Sequence, residues 1–359
     1  MSKAAELAAL IGSQTALSNR NLIINGAMQV AQRGTQTTGV TAAGYHTVDR
    51  IKLNVTTLGT WTVDQSTDSP DGFSNSYKVT CTTADASPAS SDFCLIQTSL
   101  EGQNLQSLGY GTSAAKSMTL SFYVKSNKTG AANAYLYSPD TGKIYSYTYS
   151  ITSANTWQFV SQTIPADTAS AIGNDNGEGL RVVWALNSGS DFRGGSVGGW
   201  KTFSATHINV NNLGVGGATN DYFQVSGIQL ELGEQETPFE HRSFGDELAR
   251  CQRYYQRIES NGTYDSLLDG MHYVNTQFYA MHTFPVQMRA EPTMSGSGTF
   301  AIFSNGADRT PDSLVLNRAT KEVVQTYCAL SSGAGTAGHG GHIRNNNDAD
   351  TFLEFIAEL

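Results

Sequence analysis

The sequence predicts an all-β protein, and three observations support that fold class. Only 15% of the residues are charged, well below the roughly 25% of an ordinary soluble chain, and glycine occurs 36 times. Aromatic and β-branched residues, which fit a pleated sheet, recur in short runs separated by turn residues. In the run Ser117–Lys125, apolar residues alternate with polar ones, which indicates a strand with one buried face.

The length of 359 residues and a change of pattern along the chain indicate two domains. Residues 1–20 predict a short helix, since Leu7, Leu10 and Ile11 share one face and Gly12 can cap its end. We expect a jelly roll in residues 21–240, a connecting helix in residues 241–262 and a smaller β-sandwich in residues 263–359.

Residues 21–240 contain strand after strand, which is typical of a two-sheet jelly roll. Extended runs at Leu22–Gln32 and Tyr45–Val55 flank a turn rich in glycine and threonine. In the last strand, Tyr222–Leu232, the alternation slips at Ser226-Gly227, which predicts a β-bulge. The other expected strands are Ser76–Thr82, Phe93–Thr98, Ser117–Lys125, Ala134–Tyr137, Ile144–Ile151, Trp157–Ile164, Leu180–Leu186 and His207–Val210.

The connecting helix is predicted by its start signal and by its spacing. Ser243 and Asp246 have the S-x-x-D form of a capping box. Apolar residues then follow at heptad spacing, and Asn261-Gly262 ends the helix. This seam has two interpretations, a junction between subunits or a surface helix packed on its own sandwich. Its residues are Leu248, Cys251, Tyr255 and Ile258.

The last part of the chain returns to short strands, which predicts the smaller sandwich. Its final segment has Phe352, Phe355 and Ile356, so we expect the last strand to lie within a sheet. The expected strands are Met271–Val286, Glu291–Ser297, Thr299–Phe303, Ser313–Asn317, Val323–Leu330 and Thr351–Leu359.

Composition and motifs exclude several classes of function. A net charge of −9 indicates that nucleic acid is not a partner, because phosphate binding needs clustered Lys and Arg. No apolar stretch of about 18 residues occurs, so we expect no membrane insertion. The motifs of hydrolases, zinc proteases and P-loop enzymes are absent, and we expect no enzymatic activity. The four cysteines lack CxxC spacing and are expected as free buried thiols.

Aromatic residues supply the candidate binding site. Tyr145, Tyr147 and Tyr149 share one face of a predicted strand, and Trp200 lies in a glycine-rich loop. Planar rings stack on sugar C–H faces, so an outward-facing tyrosine strand would be a carbohydrate platform, with Trp200 as a second contact. The alternative is that the tyrosine face belongs to the sandwich core or to a subunit contact.

Two weaker patterns concern metals. His339 and His342 are three residues apart, and imidazoles at that spacing can share a metal ion, although solvated loop histidines are the commoner case. The oxygen-rich run Asn345–Asp350 suits Ca2+ but lacks the glycine and glutamate of an EF-hand loop. No cofactor is expected, and a structural Ca2+ is left as an alternative at that run or at Asp49, Asp221 and Glu231.

Three stretches resemble the tail-fibre or virion appendage proteins of bacteriophages. They are NLIINGAMQVAQRGT (Asn21–Thr35) followed by GYHTVDR (Gly44–Arg50), then VSGIQLELGEQETPFEHRSFGDELARCQRYYQR (Val225–Arg257), and then FPVQMRAEPTM (Phe284–Met294). The region 21–238 also resembles a carbohydrate-binding-module jelly roll. The segments that carry this second likeness are LSFYVKS (Leu120–Ser126), TWQFVSQTIPADT (Thr156–Thr168) and GIQLELG (Gly227–Gly233).

The resemblance implies a homotrimeric tail fibre of the virion with a knob-like C-terminal domain. Because Glu6 interrupts the apolar run at the N-terminus and no clear cleavage site follows, we expect the protein to be made in the cytoplasm of the host. Residues 1–20 would contact other tail proteins, and the jelly roll would bind a glycan of the bacterial surface. The alternative is a structural decoration or appendage of the virion without receptor binding. A carbohydrate-active enzyme is the third class considered.

Overall fold

The computed structural model describes residues 19–331 and 335–359, and within them the all-β prediction is confirmed. All but the last two residues of the predicted N-terminal helix lie outside this range. The chain divides into two compact units: the first ends at Glu247 and also takes in Leu359, and the second runs from Leu248 to Glu358. No helix in the described residues is long and apolar enough to span a membrane.

Over its described residues, the first unit has eleven strands and three short 3-10 helices, at Gly102–Leu108, Ser190–Phe192 and Ala205–His207. The strands are β1 (Gln36–Gly44), β2 (Lys52–Ser66), β3 (Ser76–Thr83), β4 (Phe93–Glu101), β5 (Met118–Ser126), β6 (Gly130–Ser138), β7 (Lys143–Ile151), β8 (Gln158–Ile164), β9 (Glu178–Ser188), β10 (Lys201–Thr202) and β11 (Tyr222–Leu232).

Strand β2 joins the two layers of this unit. The hydrogen-bonded path runs β10-β7-β6-β9-β4-β2-β3-β11-β5-β8, and β1 pairs separately with β2. The first half of β2 pairs with β4 and the second half with β3. Between the halves, Thr57 and Gly59 have φ values of 50° and 69°, so the strand turns there. The expected two sheets are therefore one continuous path, folded at this corner.

The core lies between the two halves of the path. The apolar set predicted in β5 is confirmed as core, because Met118, Leu120, Phe122 and Val124 are fully buried and belong to the main cluster. The opposite face is not exposed as predicted, since Thr119 and Ser121 are buried too. Trp61 lies next to the corner of β2, where its indole nitrogen donates to the Leu58 carbonyl at 2.7 Å. All four cysteines are free and buried, as expected.

The expected β-bulge in β11 is also confirmed. The register between β11 and β5 shifts between Ser226 and Gln229. Gly227 there has a φ of 60°, and a Cβ at this position would lie 2.7 Å from the Phe73 ring. The bulge therefore requires glycine for both its backbone conformation and its close approach to an aromatic ring.

The strand expected at Leu22–Gln32 does not form, and that prediction is wrong. Asn25 and Met28 have positive φ values, and the Asn25 side chain supplies the hydrogen bonds that a neighbouring strand would otherwise make. It accepts from Val30 N at 3.0 Å and donates to the carbonyls of Val30 and Asp49. Strand β1 forms instead in the segment expected to be a turn, and the strand expected at His207–Val210 is also absent.

The connecting helix, α1 (Phe244–Gln252), is shorter than predicted. Half of its capping box is confirmed, since Asp246 N donates to Ser243 Oγ. The Asp246 carboxylate accepts from the Ser243 hydroxyl and not from a backbone amide. The predicted extension to Ile258 is wrong, because strand β12 (Tyr255–Glu259) begins three residues after the helix ends.

The four residues of the predicted seam therefore do not form one helical stripe. Leu248 and Cys251 lie in α1, whereas Tyr255 and Ile258 lie in a strand that pairs with strand β21 (Phe352–Ile356). Cys251 and Tyr255 are fully buried. Long-range strand pairing has overridden the local helical spacing, and no exposed heptad seam remains for a subunit junction.

The second unit is a smaller sandwich of two sheets. Its remaining strands are β13 (Ser266–Val274), β14 (Gln277–Thr283), β15 (Thr293–Ser297), β16 (Phe300–Ser304), β17 (Ala307–Arg309), β18 (Ser313–Ala319), β19 (Val323–Ala329) and β20 (Gly340–Asn345). One sheet has the order β17-β16-β20-β13-β14-β19-β18, and the other has the order β12-β21-β15. The last strand, β21, is central in the smaller sheet, and its Leu353 and Phe355 are buried in the shared core.

Candidate functional site

The tyrosine face of β7 belongs to the core of the first unit. Tyr145, Tyr147 and Tyr149 are only 4–6% exposed, and the Tyr149 ring lies edge-on to Phe122 of β5 at 5.4 Å. Burial raises the pKa of each of these three phenols. The core interpretation is therefore correct, and the platform interpretation of these three side chains is wrong, because their rings are not accessible to a sugar.

Trp200 is not the tip-exposed contact that the sequence suggested. It is half-buried against the core, with its ring 5.8 Å from Tyr145 and 6.0 Å from Tyr110. Its indole nitrogen donates to the Pro165 carbonyl at 2.8 Å.

The opposite face of the same strands carries a different set of residues. Tyr137 of β6 lies directly opposite Arg181 of β9, which lies opposite Ser99 of β4. A second row contains Leu95 of β4 opposite Asn54 of β2. Along β4, Leu95 and Ser99 are four residues, or roughly 13 Å, apart. This face is long enough to contact an extended ligand.

The segment 189–212 folds over part of this face. Gly198 N donates to the Ser146 carbonyl, and Asn211 bonds to Asn133 and Thr148. Ile208 of the segment packs in a small apolar cluster with Tyr135 and Val183 of the sheet. Because the segment covers only one part of the face, its edge forms a wall, and a cleft remains between that wall and the strands.

The cleft has a volume of about 480 Å³. Its aromatic pairs lie toward its two ends: Phe93 contacts Phe192 at 5.2 Å, and Tyr137 contacts Phe203 at 4.9 Å between ring centres. Phe203 is 40% exposed, and the other three rings are half-buried. The remaining lining residues are Asn54, Leu95, Tyr135, Pro139, Glu178, Arg181 and Ile208.

An ion pair supplies the polar side of the cleft. Arg181 donates two hydrogen bonds to the Glu178 carboxylate, at 2.9 and 2.6 Å, and Ser99 Oγ donates a third. Burial raises the pKa of Glu178. The hydrogen bonds from Arg181 and Ser99, together with the charges of Arg181 and Lys52, outweigh that effect, so the pKa lies below its ordinary value. The pair is therefore fully charged at neutral pH.

This arrangement suits binding better than catalysis. Among the described residues that line the cleft, Glu178 is the one carboxylate, and it is bound to Arg181. Hydrolysis of a glycosidic bond ordinarily needs two carboxyl groups on either side of the bond. Rings with free edges and a fixed donor-acceptor pair can instead hold a ligand that has both apolar and hydroxyl surfaces.

The two histidines of the metal hypothesis, His339 and His342, lie in different environments. His339 is an exposed turn residue, whereas the His342 ring of β20 stacks on Phe303 at 5.3 Å. Within the described ranges, no group of three or more His, Cys, Asp or Glu side chains could hold a metal ion.

The oxygen ligands considered for Ca2+ bond to the protein itself. Asp49 accepts from Gln32 and Arg33, and Asp221 accepts from the backbone amides of Gly216 and Ala218. Glu231 accepts from Gln229 and Thr237. In the run Asn345–Asp350, the Asn345 and Asp348 side chains bond within a turn and to neighbouring loops. These hydrogen bonds within the protein give each of these side chains a structural role.

Sequence reasoning missed the residues of the cleft, although one signal was present. In β6, Ala132, Ala134 and Leu136 alternate with Tyr135 and Tyr137, which places the two tyrosines opposite the aliphatic face. In β7, by contrast, small polar residues alternate with the tyrosines, which indicates that those tyrosines face inward. The aromatic residues of the segment 189–212 carry no comparable periodic signal.

No protein-family model matches the sequence, and no curated protein is significantly similar to it. Among solved structures, the chain is similar to TmCBM61, solved in complex with β-1,4-galactotriose, at a TM-score of 0.31 and 8% identity, over 60% of this chain and 100% of that one. It is similar to the family 11 carbohydrate-binding module of a cellulosomal cellulase of Clostridium thermocellum, at 0.29 and 10%, over 62% and 100%.

The chain is also similar to the enzymatically active domain of tailspike protein 4 of bacteriophage CBA120, at a TM-score of 0.30 and 11% identity. That match covers 59% of this chain and 21% of the tailspike domain. Scores at this level do not establish a shared fold or a shared ligand. The cleft is therefore interpreted from its own residues.

Proposed function

We propose that the first unit binds a glycan in the cleft between strands β4, β6 and β9 and the segment 189–212. The observation that carries this proposal is the row formed by Tyr137 and Arg181, with Phe203 beside it. A sugar ring has an apolar C–H face and a rim of hydroxyls. The row offers an aromatic surface next to a charged donor-acceptor pair, which is the complementary pattern.

The two parts of the row have different tasks in this proposal. Phe203 and Tyr137 supply the stacking surface. Arg181 donates hydrogen bonds to ligand hydroxyls, and Glu178 accepts hydrogen bonds from other ligand hydroxyls. Because Arg181 and Ser99 already hold Glu178 in place, little conformational freedom is lost when the ligand binds. Phe93, Phe192 and Asn54 extend the surface along the strands, which favours an oligosaccharide over a single sugar.

A glycan array and titration calorimetry test this proposal. The array carries purified bacterial surface polysaccharides together with plant and algal glycans, and the strongest binder is titrated as an oligosaccharide. The Tyr137→Ala variant is expected to bind at least about tenfold more weakly than wild type, because one aromatic anchor of the ligand is lost. Phe159→Ala is the matched control, since Phe159 is a 48% exposed ring of β8 outside the cleft. Equal affinity of Tyr137→Ala and wild type would reject the site.

We further propose that this glycan belongs to a bacterial surface and that the protein is a tail fibre of a phage virion. The support is the resemblance of the three sequence stretches described above. Cryo-electron microscopy of the particle tests the location, because a fibre projects from the tail. Density on the capsid instead would favour the alternative of a structural virion protein.

One structural observation supports the alternative of a structural virion protein without receptor binding. Two of the resembling stretches meet in the first unit, where Asn21 bonds to Ile228 and Leu230, and Arg242 bonds to the Asn21 and Ile23 carbonyls. These contacts build the sandwich and do not line the cleft. The resemblance thus supports a shared architecture more directly than a shared ligand. Loss of host adsorption in Tyr137→Ala particles would favour the receptor-binding role.

A homotrimer also remains a proposal. The heptad seam no longer supports it, since Cys251 and Tyr255 are buried within one chain. Light scattering of the purified protein measures its mass directly. A mass three times that of the chain supports the trimer, and a monomeric mass across the accessible concentrations rejects it.

A further inference from the structure

The second unit has a groove on the outer face of its seven-stranded sheet. The groove has a volume of about 740 Å³. Its floor is a row across four neighbouring strands, in which Asp269 of β13 lies opposite Met281 of β14, Met281 opposite Gln325 of β19, and Gln325 opposite Arg318 of β18. Three strand spacings give this row a length of roughly 14 Å.

Aromatic rings line one side of the groove. Tyr273 is 70% exposed, and its ring lies at 87° to Tyr279, with 5.9 Å between ring centres. Tyr279 in turn lies opposite Tyr327, at 5.3 Å. The perpendicular arrangement leaves a face of Tyr273 open. Met271 and Met281, both at least half exposed, extend the apolar floor.

Polar groups line the other side. The register of β18 and β19 shifts between Leu316 and Arg318, so Asn317 is an extra residue in β18. Its amide nitrogen donates to Gln325 Oε1 at 2.7 Å. That bond leaves the Asn317 carbonyl oxygen and the Gln325 amide nitrogen for a ligand. In the described part of the chain, neither Asp269 nor Arg318 forms an ion pair.

We propose that this groove is a second glycan site, for an uncharged oligosaccharide. One carboxylate and one guanidinium give the lining a formal charge of zero, and the two side-chain amides add a neutral donor and a neutral acceptor. Hydroxyl groups can donate to Asp269 and accept from Arg318, whereas an anionic or cationic ligand would meet one of these two groups unfavourably.

The volume and the mixed lining of the groove favour a ligand over a second protein chain. Small-molecule and oligosaccharide sites are concave and have volumes of about 300–1,000 Å³, with an apolar lining and few polar groups. Protein interfaces of stable complexes are broader and bury about 800 Å² on each partner.

The test compares four forms of the full chain on the glycan array and by calorimetry: wild type, Tyr137→Ala, Tyr273→Ala and the double variant. Tyr273→Ala is expected to weaken binding about tenfold or more at one set of glycans, and the double variant to lose both sets. Tyr264→Ala, a half-exposed tyrosine of the same unit outside the groove, is the control. Light scattering of each variant is measured in parallel.

The outcomes separate the two sites. If only Tyr137→Ala loses binding, the groove proposal is overturned and the proposed function stands. If only Tyr273→Ala loses binding, the groove stands and the cleft does not. A Tyr273→Ala variant that changes the mass of the particle while keeping all glycan binding would show that the groove is a contact between copies, and would overturn the proposal. Absence of any binding by wild type overturns both sites.

Discussion

The guanidinium carbon of Arg181 lies 5.7 Å from the centre of the Tyr137 ring, and the two residues are direct neighbours on β9 and β6. The same guanidinium forms two hydrogen bonds to Glu178. One cation therefore fixes both the aromatic surface and the carboxylate of the cleft. This relationship makes Arg181 the residue on which the proposed site depends most.

Replacement of Arg181 by methionine should weaken glycan binding about tenfold or more, because charged donors are lost and Glu178 is released. Titration calorimetry with the oligosaccharide that binds wild type measures the change. Arg344→Met is the matched control, since Arg344 also forms an ion pair, with Asp308, and lies 4.7 Å from the centre of the Tyr264 ring. Equal losses in both variants would point to general destabilisation and count against a specific role.

The ion pair should make the first unit sensitive to acid. The pKa of Glu178 in the folded protein lies below its ordinary value of 4.5. The ionised Glu178 carboxylate therefore contributes its full stabilisation at pH values above 4.5. That stabilisation is lost as the pH falls through the lowered pKa of the folded protein. Urea unfolding from neutral pH downwards should show a smaller loss of stability for Glu178→Gln than for wild type over this window. Parallel curves for the two proteins would contradict the assignment.

Tyr147→Phe should leave glycan binding unchanged. It should also leave the free energy of unfolding unchanged or raise it by up to about 1 kcal/mol, because the buried Tyr147 hydroxyl has no hydrogen-bond partner in the described part of the structure. Chemical denaturation and calorimetry measure the two quantities. Weaker glycan binding by this variant would indicate that the tyrosines of β7 contact the ligand after all.

Asn21→Ala should destabilise the first unit by roughly 3 kcal/mol, since it leaves three buried backbone groups without partners. The Asn21 side chain donates to the Ile228 carbonyl and accepts from the amides of Ile23 and Leu230. Asn261→Ala, at an exposed position, should stay within about 0.5 kcal/mol of wild type. If the two variants unfold at the same urea concentration, the polar network does not hold the sandwich as described.

Gly227→Ala should cost about 1–3 kcal/mol, because the new methyl group meets the Phe73 ring and the backbone has a positive φ. Gly245→Ala is the matched control: Gly245 lies in helix α1, and no neighbouring atom lies within 4 Å of the position that a Cβ would take. There the same substitution should stabilise by up to about 1 kcal/mol, as alanine favours the helix. Opposite signs in thermal unfolding are the expected result, and a neutral Gly227→Ala would contradict the bulge.

Features that depend on local pattern were predictable from the sequence. The buried face of β5 and the bulge at Gly227 follow from alternation along one strand, and the helix start follows from the Ser243–Asp246 box. The helix end did not follow, because Tyr255 pairs with Ile356, about 100 residues away in sequence. Local spacing carries no information about such a partner.

The cleft was hidden for the same reason. Phe93, Tyr137, Arg181 and Phe203 come together only through the strand order β7-β6-β9-β4 and the fold of the segment 189–212 over it. Predicting that aromatic residues form a binding surface was reasonable, but choosing the face required knowing which side of β7 meets the core. The small polar residues between its tyrosines were the available clue.

The central claim is that a glycan lies on the Tyr137–Arg181 row, and a crystal structure of the chain with the oligosaccharide chosen by the array tests it most directly. We expect a sugar ring against Tyr137 and Phe203, with hydroxyl groups within hydrogen-bond distance of Arg181 and Glu178. An oligosaccharide bound elsewhere on the first unit, with this cleft filled only by water, would contradict it.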